Sequence, residues 1–179
     1  PDRQNTLKLL PRRVKGGVIL EGHTHTLSNS TLEKLCGYQI IELDSGKSTE
    51  NDYWDSALSA GRYSFGVAND DLHYPDISYK IARRCNFLST PSAKYEDVLA
   101  TLKSGCFYSM RVPDYGDGDW AVKRAKNREL PYIKDISLTG DVVEVRFSHS
   151  ADLIKVIGQN HTTLSTAESC DAISYAMKA

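Results

Sequence analysis

The first 105 residues show apolar runs and helically spaced apolar positions in alternation, a pattern that predicts strands followed by helices. Three apolar runs have the length of buried strands: 18–20, 40–43 and 63–68. Apolar residues three or four positions apart predict helices over 30–36, 53–60, 77–85 and 95–102. Gly105 is placed to end the last of these helices. The alternation predicts βα units and therefore a parallel sheet or barrel.

The pattern changes after this segment. Residues 114–127 combine glycines with clustered acidic and basic side chains, which favours a loop or linker. Beyond Pro131 the apolar residues recur with period two and predict four short strands: 133–138, 142–147, 153–157 and 172–176. This part of the chain therefore predicts a small antiparallel sheet resembling half of a β-sandwich. The resulting division is an α/β domain at 1–112, a linker at 113–130 and an all-β domain at 131–179.

Composition narrows the class of protein. The chain has 179 residues with 22 Lys and Arg against 23 Asp and Glu, so its formal charge is −1. A balanced charge gives no electrostatic basis for general nucleic-acid binding, and no apolar run approaches the roughly 18 residues of a membrane span. The four cysteines form no C-x-x-C pair, which argues against a zinc knuckle or a thioredoxin-like site.

Metal-binding side chains follow two of the predicted strands. His23-Thr24-His25 comes after the first strand, and Asn69-Asp70-Asp71-Leu72-His73 comes after the third. Residues i and i+2 of an extended segment point the same way, so an H-x-H or D-x-H pair can direct two ligands at one ion. Loops at the carboxyl ends of parallel strands are the usual position of sites in α/β proteins.

Imidazole and carboxylate ligands together favour zinc, manganese or iron. We therefore predict His23, His25, Asp71 and His73 as metal ligands. The alternative is that these residues make turns and hydrogen bonds, as Asp and His often do in loops. His149 and His161 lie in the predicted β region and are interpreted as surface residues.

Other catalytic motifs are missing from the sequence. It contains no G-x-S-x-G nucleophile motif. The glycine pairs at 16–17 and 116–118 lack the spacing and the following Lys-Ser or Lys-Thr of a phosphate loop. A metal site is therefore the best-supported chemistry.

Several segments together resemble one family. They are Gly37–Glu42 ("GYQIIE"), Tyr53–Arg62 ("YWDSALSAGR"), Gly66–His73 ("GVANDDLH") and Val98–Ser109 ("VLATLKSGCFYS"). In this order they are similar to the closing half of metal-dependent phosphoesterases of the polymerase and histidinol phosphatase (PHP) family. Residues 131–137 resemble the start of a β domain that is often appended in that family. The resemblance covers roughly residues 16–160.

The resemblance implies a fold, a reaction and a site. The fold is α/β: a partial (β/α)7 PHP-type barrel followed by a small antiparallel β-sandwich-like domain, with up to three divalent ions at the barrel mouth. Asp71 and His73 match the last metal-binding motif, and His23 or His25 matches the histidine of the preceding one. A competing alignment places His23-Thr24-His25 in the family's opening H-x-H-T motif. Glu42 is implied as a carboxylate that faces the substrate or supports a ligand, and Arg62 as a phosphate-binding residue or a helix-end ion pair.

The sequence also departs from the family. It has no T-D-H segment, and about three predicted strands are too few to close a barrel. We therefore expect a fragment or a reduced homologue, and a companion N-terminal chain or a homo-oligomer that completes it.

Three functions follow as hypotheses. The first is hydrolysis of a small phosphate ester by metal-activated water. The second is a non-catalytic binding or assembly module on a PHP-like scaffold. The third is an amidohydrolase-like reaction, since the same ligands can polarise a carbonyl group.

Overall fold

The computed structural model describes residues 20–21, 28–46, 50–74, 81–113 and 120–177. The chain divides into two compact units, Pro1–Asp117 and Gly118–Ala179. The elements of the first unit are β1 (Leu20–Glu21), α1 (Asn29–Leu32), β2 (Ile40–Asp44), α2 (Glu50–Ser59), β3 (Phe65–Ala68), β4 (Arg84–Leu88), α3 (Tyr95–Ser104) and β5 (Phe107–Arg111).

Strands β1, β2 and β3 form a parallel sheet in that order. The alternation of β2 turns Ile41 towards a core with Leu32, Leu35 and Tyr38, and Ile41 is fully buried. Trp54 of α2 packs against this cluster, and its indole N–H donates to the carbonyl of Ser64 at 3.2 Å. The helices thus cover one face of the sheet, and the carboxyl ends of β2 and β3 lie at one edge.

Strands β4 and β5 form a separate antiparallel pair. The side-chain amide of Asn86 bonds both backbone groups of Ala68: Oδ1 accepts from its N–H at 3.0 Å and Nδ2 donates to its carbonyl at 2.7 Å. The hydroxyl of Ser109 donates to the carbonyl of Gly66 at 3.0 Å. Side chains, and not a fourth strand, therefore satisfy the free edge of β3.

The predicted partial (β/α)7 barrel is wrong. A barrel needs a continuous ring of hydrogen-bonded strands. In the described part of the chain the parallel sheet has three strands, and β4 and β5 run antiparallel to each other. Asn86 and Ser109 take up the backbone groups of β3 that would continue the sheet.

Local predictions in this unit have mixed outcomes. The helix ending at Gly105 is confirmed: Gly105 is left-handed at φ 72°, and α3 stops at Ser104. The helical assignment of residues around Cys85 is wrong, because Cys85 lies inside β4 and pairs with Met110. Apolar residues at 77, 81 and 85 matched a helical period by spacing alone, and residue 77 lies outside the described residues.

The second unit contains α4 (Trp120–Asn127), β6 (Ile133–Thr139), β7 (Val142–Ile157), a short 3₁₀ helix (Gln159–His161) and β8 (Thr163–Ala176). The three strands form an antiparallel sheet in the order β6-β7-β8. The antiparallel character agrees with the period-two pattern. The sequence divided β7 at residues 148–150, but this segment, including His149, continues as strand. The segment predicted as a linker includes α4.

The sequence predicts no membrane-spanning segment. Throughout the described ranges no helix combines the length and the apolar character needed to cross a bilayer.

Candidate functional site

The carboxyl edge of β2 and β3 gathers the polar residues of the first unit. Glu42 and Asp44 come from the end of β2, where the register with β3 shifts and both side chains are buried. Asn69 follows β3 directly, and its backbone N–H donates to the carbonyl of Asp44 at 2.9 Å. The parallel pairing therefore brings the segment that begins at Asn69 beside the two carboxylates of β2.

Glu42, Asn69 and Asp71 are connected by hydrogen bonds. The Asn69 amide nitrogen Nδ2 donates to Glu42 Oε1 at 2.7 Å. Asn69 Oδ1 accepts from the backbone N–H of Asp71 at 2.9 Å. Because Glu42 is only 5% exposed, this chain of contacts starts from a fixed carboxylate and orients the backbone at Asp71. Because the Glu42 carboxylate accepts a hydrogen bond from Asn69, these contacts support a positioning role for Glu42.

Asp71 and His73 lie next to each other in the loop. Asp71 has φ 48°, a left-handed conformation that is costly for a non-glycine residue and is found preferentially at functional sites. His73 Nδ1 lies 2.8 Å from the carbonyl oxygen of Asp71 and 3.7 Å from its carboxylate Oδ1. The histidine side chain is 66% exposed and that of Asp71 is 26% exposed.

The contact of Nδ1 fixes the tautomer of His73. A carbonyl oxygen only accepts, so Nδ1 must carry the proton and donate it. In the neutral ring, Nε2 then carries the lone pair. Metal-binding histidines commonly have this arrangement, with one nitrogen donating to a carbonyl and the other free for the ion.

These two residues fit part of a divalent metal site. An aspartate oxygen and an imidazole nitrogen are suitable for zinc, manganese or iron. Within the described ranges, however, no group of three His, Cys, Asp or Glu side chains is arranged to hold an ion. The predicted ligands His23 and His25 lie outside the described residues. They follow β1 in the sequence, and β1 is parallel to β2.

The carboxylate of Asp44 forms ion pairs with two arginines. Arg84 Nε lies 2.7 Å from Oδ1, and Arg111 Nη2 lies 2.7 Å from Oδ2. The backbone N–H of Gly46 donates to Oδ1 at 3.0 Å. Burial alone would raise the pKa of Asp44, but the hydrogen bonds from both guanidinium groups and from Gly46 outweigh it, so the pKa is lowered. Asp44 therefore stays charged and joins the β4–β5 pair to the sheet.

The carboxylate of Asp70 accepts hydrogen bonds from backbone N–H groups. Its carboxylate accepts from the N–H groups of Ala82, Arg83 and Arg84 at 2.5, 3.0 and 2.8 Å. These three bonds organise the turn that leads into β4. Of the two consecutive aspartates, it is therefore Asp71 whose carboxylate is available to a ligand near His73.

Arg62 lies elsewhere. It precedes β3, whereas Asp71 and His73 follow it, so β3 separates Arg62 from the carboxyl edge. Its Nε donates to the carbonyl of Glu33 at the end of α1, at 2.8 Å. The structure thus does not bring Arg62 together with Asp71 and His73, and its phosphate-binding role stays a prediction.

Sequence reasoning missed Asp44, Arg84 and Arg111. A signal for Asp44 was present, since it is two positions after Glu42 on an extended strand and so shares its face. Arg84 and Arg111 are directly opposite each other on β4 and β5. That pairing requires the register of two strands that the sequence did not identify.

Searches of family models, curated protein sequences and solved structures return no match to this chain. The arguments for function therefore come from the residues and their geometry.

Proposed function

We propose that the carboxyl edge of β2 and β3 is a divalent metal site of a phosphoester hydrolase, with Asp71 and His73 as two of its ligands. The observation that carries the proposal is the hydrogen bond from His73 Nδ1 to the Asp71 carbonyl, which leaves the lone pair on Nε2 in a side chain that is 66% exposed, next to the Asp71 carboxylate in the loop. The resemblance of residues 66–73 to the last metal-binding motif of the PHP family points to the same two residues.

Each residue has a distinct part in this proposal. Asp71 and His73 bind the ion, and Asn69 and Glu42 hold the Asp71 backbone in its left-handed conformation. His23 and His25, which follow the parallel strand β1, are the proposed source of a further ligand. A bound divalent cation supplies a hydrolytic nucleophile at neutral pH and positive charge for the phosphoryl oxygens.

The first experiment measures metal content. The purified chain is equilibrated with Zn²⁺, Mn²⁺ or Fe²⁺, the iron under anaerobic conditions, and bound metal is quantified after gel filtration. We expect bound metal that is lost in Asp71→Asn and in His73→Gln and retained in His149→Gln and His161→Gln. Equal metal content in all four variants would refute the assignment of the site.

The second experiment separates metal binding from catalysis. Hydrolysis of p-nitrophenyl phosphate and of bis(p-nitrophenyl) phosphate is measured on metal-loaded protein and on Asp71→Asn. Hydrolysis that depends on both Asp71 and the metal supports the phosphoesterase. Metal binding without hydrolysis of either ester favours the second candidate, a non-catalytic binding module. The observation in favour of that candidate is that Glu42, Asp44 and Asp70 all have protein partners.

A further inference from the structure

The charges around Asp44 do not balance. Two guanidinium groups share its single carboxylate, with Arg84 at Oδ1 and Arg111 at Oδ2. The three side chains therefore carry an excess of one positive charge. The Asp70 carboxylate accepts from the backbone N–H of Arg83 at 3.0 Å, and including these two residues adds one charge of each sign. The excess remains, and an excess of one sign of charge attracts ligands of the opposite sign.

The two arginines differ in their access to a ligand. The side chain of Arg84 is 18% exposed, whereas that of Arg111 is 59% exposed. A Cβ added at Gly46 would lie 3.1 Å from Nη2 of Arg84, so the Arg84 guanidinium packs against the backbone there. Arg84 is therefore enclosed by the protein, and Arg111 is the guanidinium that a ligand can reach.

The Arg111 guanidinium has hydrogen-bond donors to spare. Its Nε and Nη2 both lie 2.7 Å from Asp44 Oδ2, which uses one side of the group. A guanidinium has five N–H groups, so two on Nη1 and one on Nη2 are left, and they have no partner among the described residues. The end of the group presents parallel N–H bonds from Nη1 and Nη2, a fork that binds two oxygens of one phosphate. Asp44 holds this fork in place.

Arg111 lies at the same edge of the sheet as the proposed metal ligands. It is bonded to Asp44, the last residue of β2. It is also directly opposite Arg84, whose backbone N–H donates to Asp70 Oδ1 at 2.8 Å. Asp70 immediately precedes Asp71 in the loop. The register and the hydrogen bonds therefore bring the fork of Arg111 to the edge that carries the metal ligand Asp71.

We propose that Arg111 binds the phosphate group of the substrate and that the substrate is a phosphomonoester. This inference rests on the proposed metal site, because the ion takes up one phosphoryl oxygen and the guanidinium fork takes up two. A monoester has three non-bridging oxygens and satisfies both partners, whereas a diester has two. A monoester also carries a charge of about −1.5 to −2 at pH 7, which matches the excess positive charge better than the single charge of a diester.

The direct test follows the Nε–H signal of Arg111 by NMR in the zinc-loaded full chain, with methyl phosphate and dimethyl phosphate as matched probes. Methyl phosphate should shift this signal saturably, and dimethyl phosphate should bind at least about tenfold more weakly. The internal control is Arg146, which is similarly exposed, at 60%, but forms an ion pair with a carboxylate of its own, Glu144. Its signal should not move with either probe.

The outcomes separate this inference from the metal site. Bound zinc with no shift at Arg111, or with equal affinity for the two probes, overturns the inference and leaves the metal site standing. So does an equal shift at Arg146, which would indicate general attraction of anions to exposed arginines. A chain that binds no zinc refutes the metal site, and the preference for monoesters fails with it.

A matched pair of variants tests the consequence for the reaction. Arg111→Gln should retain zinc and raise KM for p-nitrophenyl phosphate at least about tenfold, with a smaller effect on bis(p-nitrophenyl) phosphate. Arg146→Gln should behave as the wild type with both esters. An equal rise in KM for the two esters in Arg111→Gln overturns the assignment of a monoester. Loss of zinc from Arg111→Gln would show that Arg111 supports the metal site and would overturn its assignment to the substrate.

Discussion

Asp44 joins three segments of the first unit that are distant from one another in the sequence. It binds Arg84 of β4, Arg111 of β5 and the backbone of Gly46. The Arg84 side chain is only 18% exposed, so its charge relies on this partner. The side chain of Arg111 is 59% exposed, and its contribution is correspondingly screened by water.

Replacing Asp44 by Asn should lower the free energy of unfolding by about 2 kcal/mol, because hydrogen bonds to charged groups contribute about this much and Arg84 loses its counterion. Urea denaturation at pH 7 measures the change. The control is Glu96→Gln, which removes an exposed acid from the first turn of α3 and should cost about 0.5 kcal/mol. Equal losses in the two variants would contradict the role given to Asp44.

The lowered pKa of Asp44 makes this contribution depend on pH. Folding lowers the pKa of the Asp44 carboxyl. The stabilisation that Asp44 contributes is therefore fully present above the unfolded-state pKa of about 3.9, and it declines as pH falls through the folded-state pKa. The difference in unfolding free energy between wild type and Asp44→Asn should therefore be constant from pH 7 to 5 and shrink below about pH 4. A difference that grows on acidification would be inconsistent with this sign.

At the level of elements, two helices end in glycines of similar conformation but different surroundings. Gly61, after α2, has φ 76°, and Gly105, after α3, has φ 72°. A Cβ at Gly61 would meet nothing within 4 Å, whereas at Gly105 it would overlap the ring of Phe65. The ring of Phe65 is held edge-on to Phe107 at a centroid distance of 6.0 Å.

Gly61→Ala should therefore cost about 1 kcal/mol, the strain of a left-handed alanine. Gly105→Ala should cost about 2–4 kcal/mol, since displacement of Phe65 adds to that strain. Both values come from urea denaturation of the same chain. Equal losses of stability in the two variants would show that Phe65 moves aside without cost. The contact between Phe65 and Phe107 would then not constrain the end of α3.

The edge of β3 leads to a second prediction for elements. Asn86→Ala removes both partners of the Ala68 backbone and should destabilise the protein by about 2–3 kcal/mol. Hydrogen exchange should accelerate at the Ala68 amide. The internal control is the amide of Phe65, which donates to the carbonyl of Gln39 on the β2 side. Unchanged exchange at Ala68 would show that another group covers this edge.

For the whole molecule, the residues proposed for the metal site all belong to the first unit. A ligand stabilises the state to which it binds according to its concentration and affinity. A divalent metal should therefore increase hydrogen-exchange protection around Asn69 and His73 and leave that of β7 and β8 unchanged. Protection by metal in β7 and β8 alone would contradict the metal site.

Sequence alone predicted the elements whose pattern is local. The helix ending at Gly105 and the period-two strands followed from spacing and turn residues. The barrel was wrong because strand direction and sheet edges depend on contacts between distant residues, such as Asn86 with Ala68. Asp71 and His73 were recognisable as a D-x-H pair. The arginine partners of Asp44 were not, because they come from 40 and 67 residues further along the chain.

These same separations bear on how the chain folds. The bonds from Asp44 to Arg84 and Arg111 close loops of 40 and 67 residues, and the entropy of closure must be paid before the contacts form. Strand β7 pairs with its sequence neighbours β6 and β8, and each pairing can begin at a short turn, at Thr139↔Val142 and at Ile157↔Thr163. Contacts between nearby residues favour rapid folding. The second unit should therefore begin its native pairing first, and the contacts of Asp44 with Arg84 and Arg111 should form later.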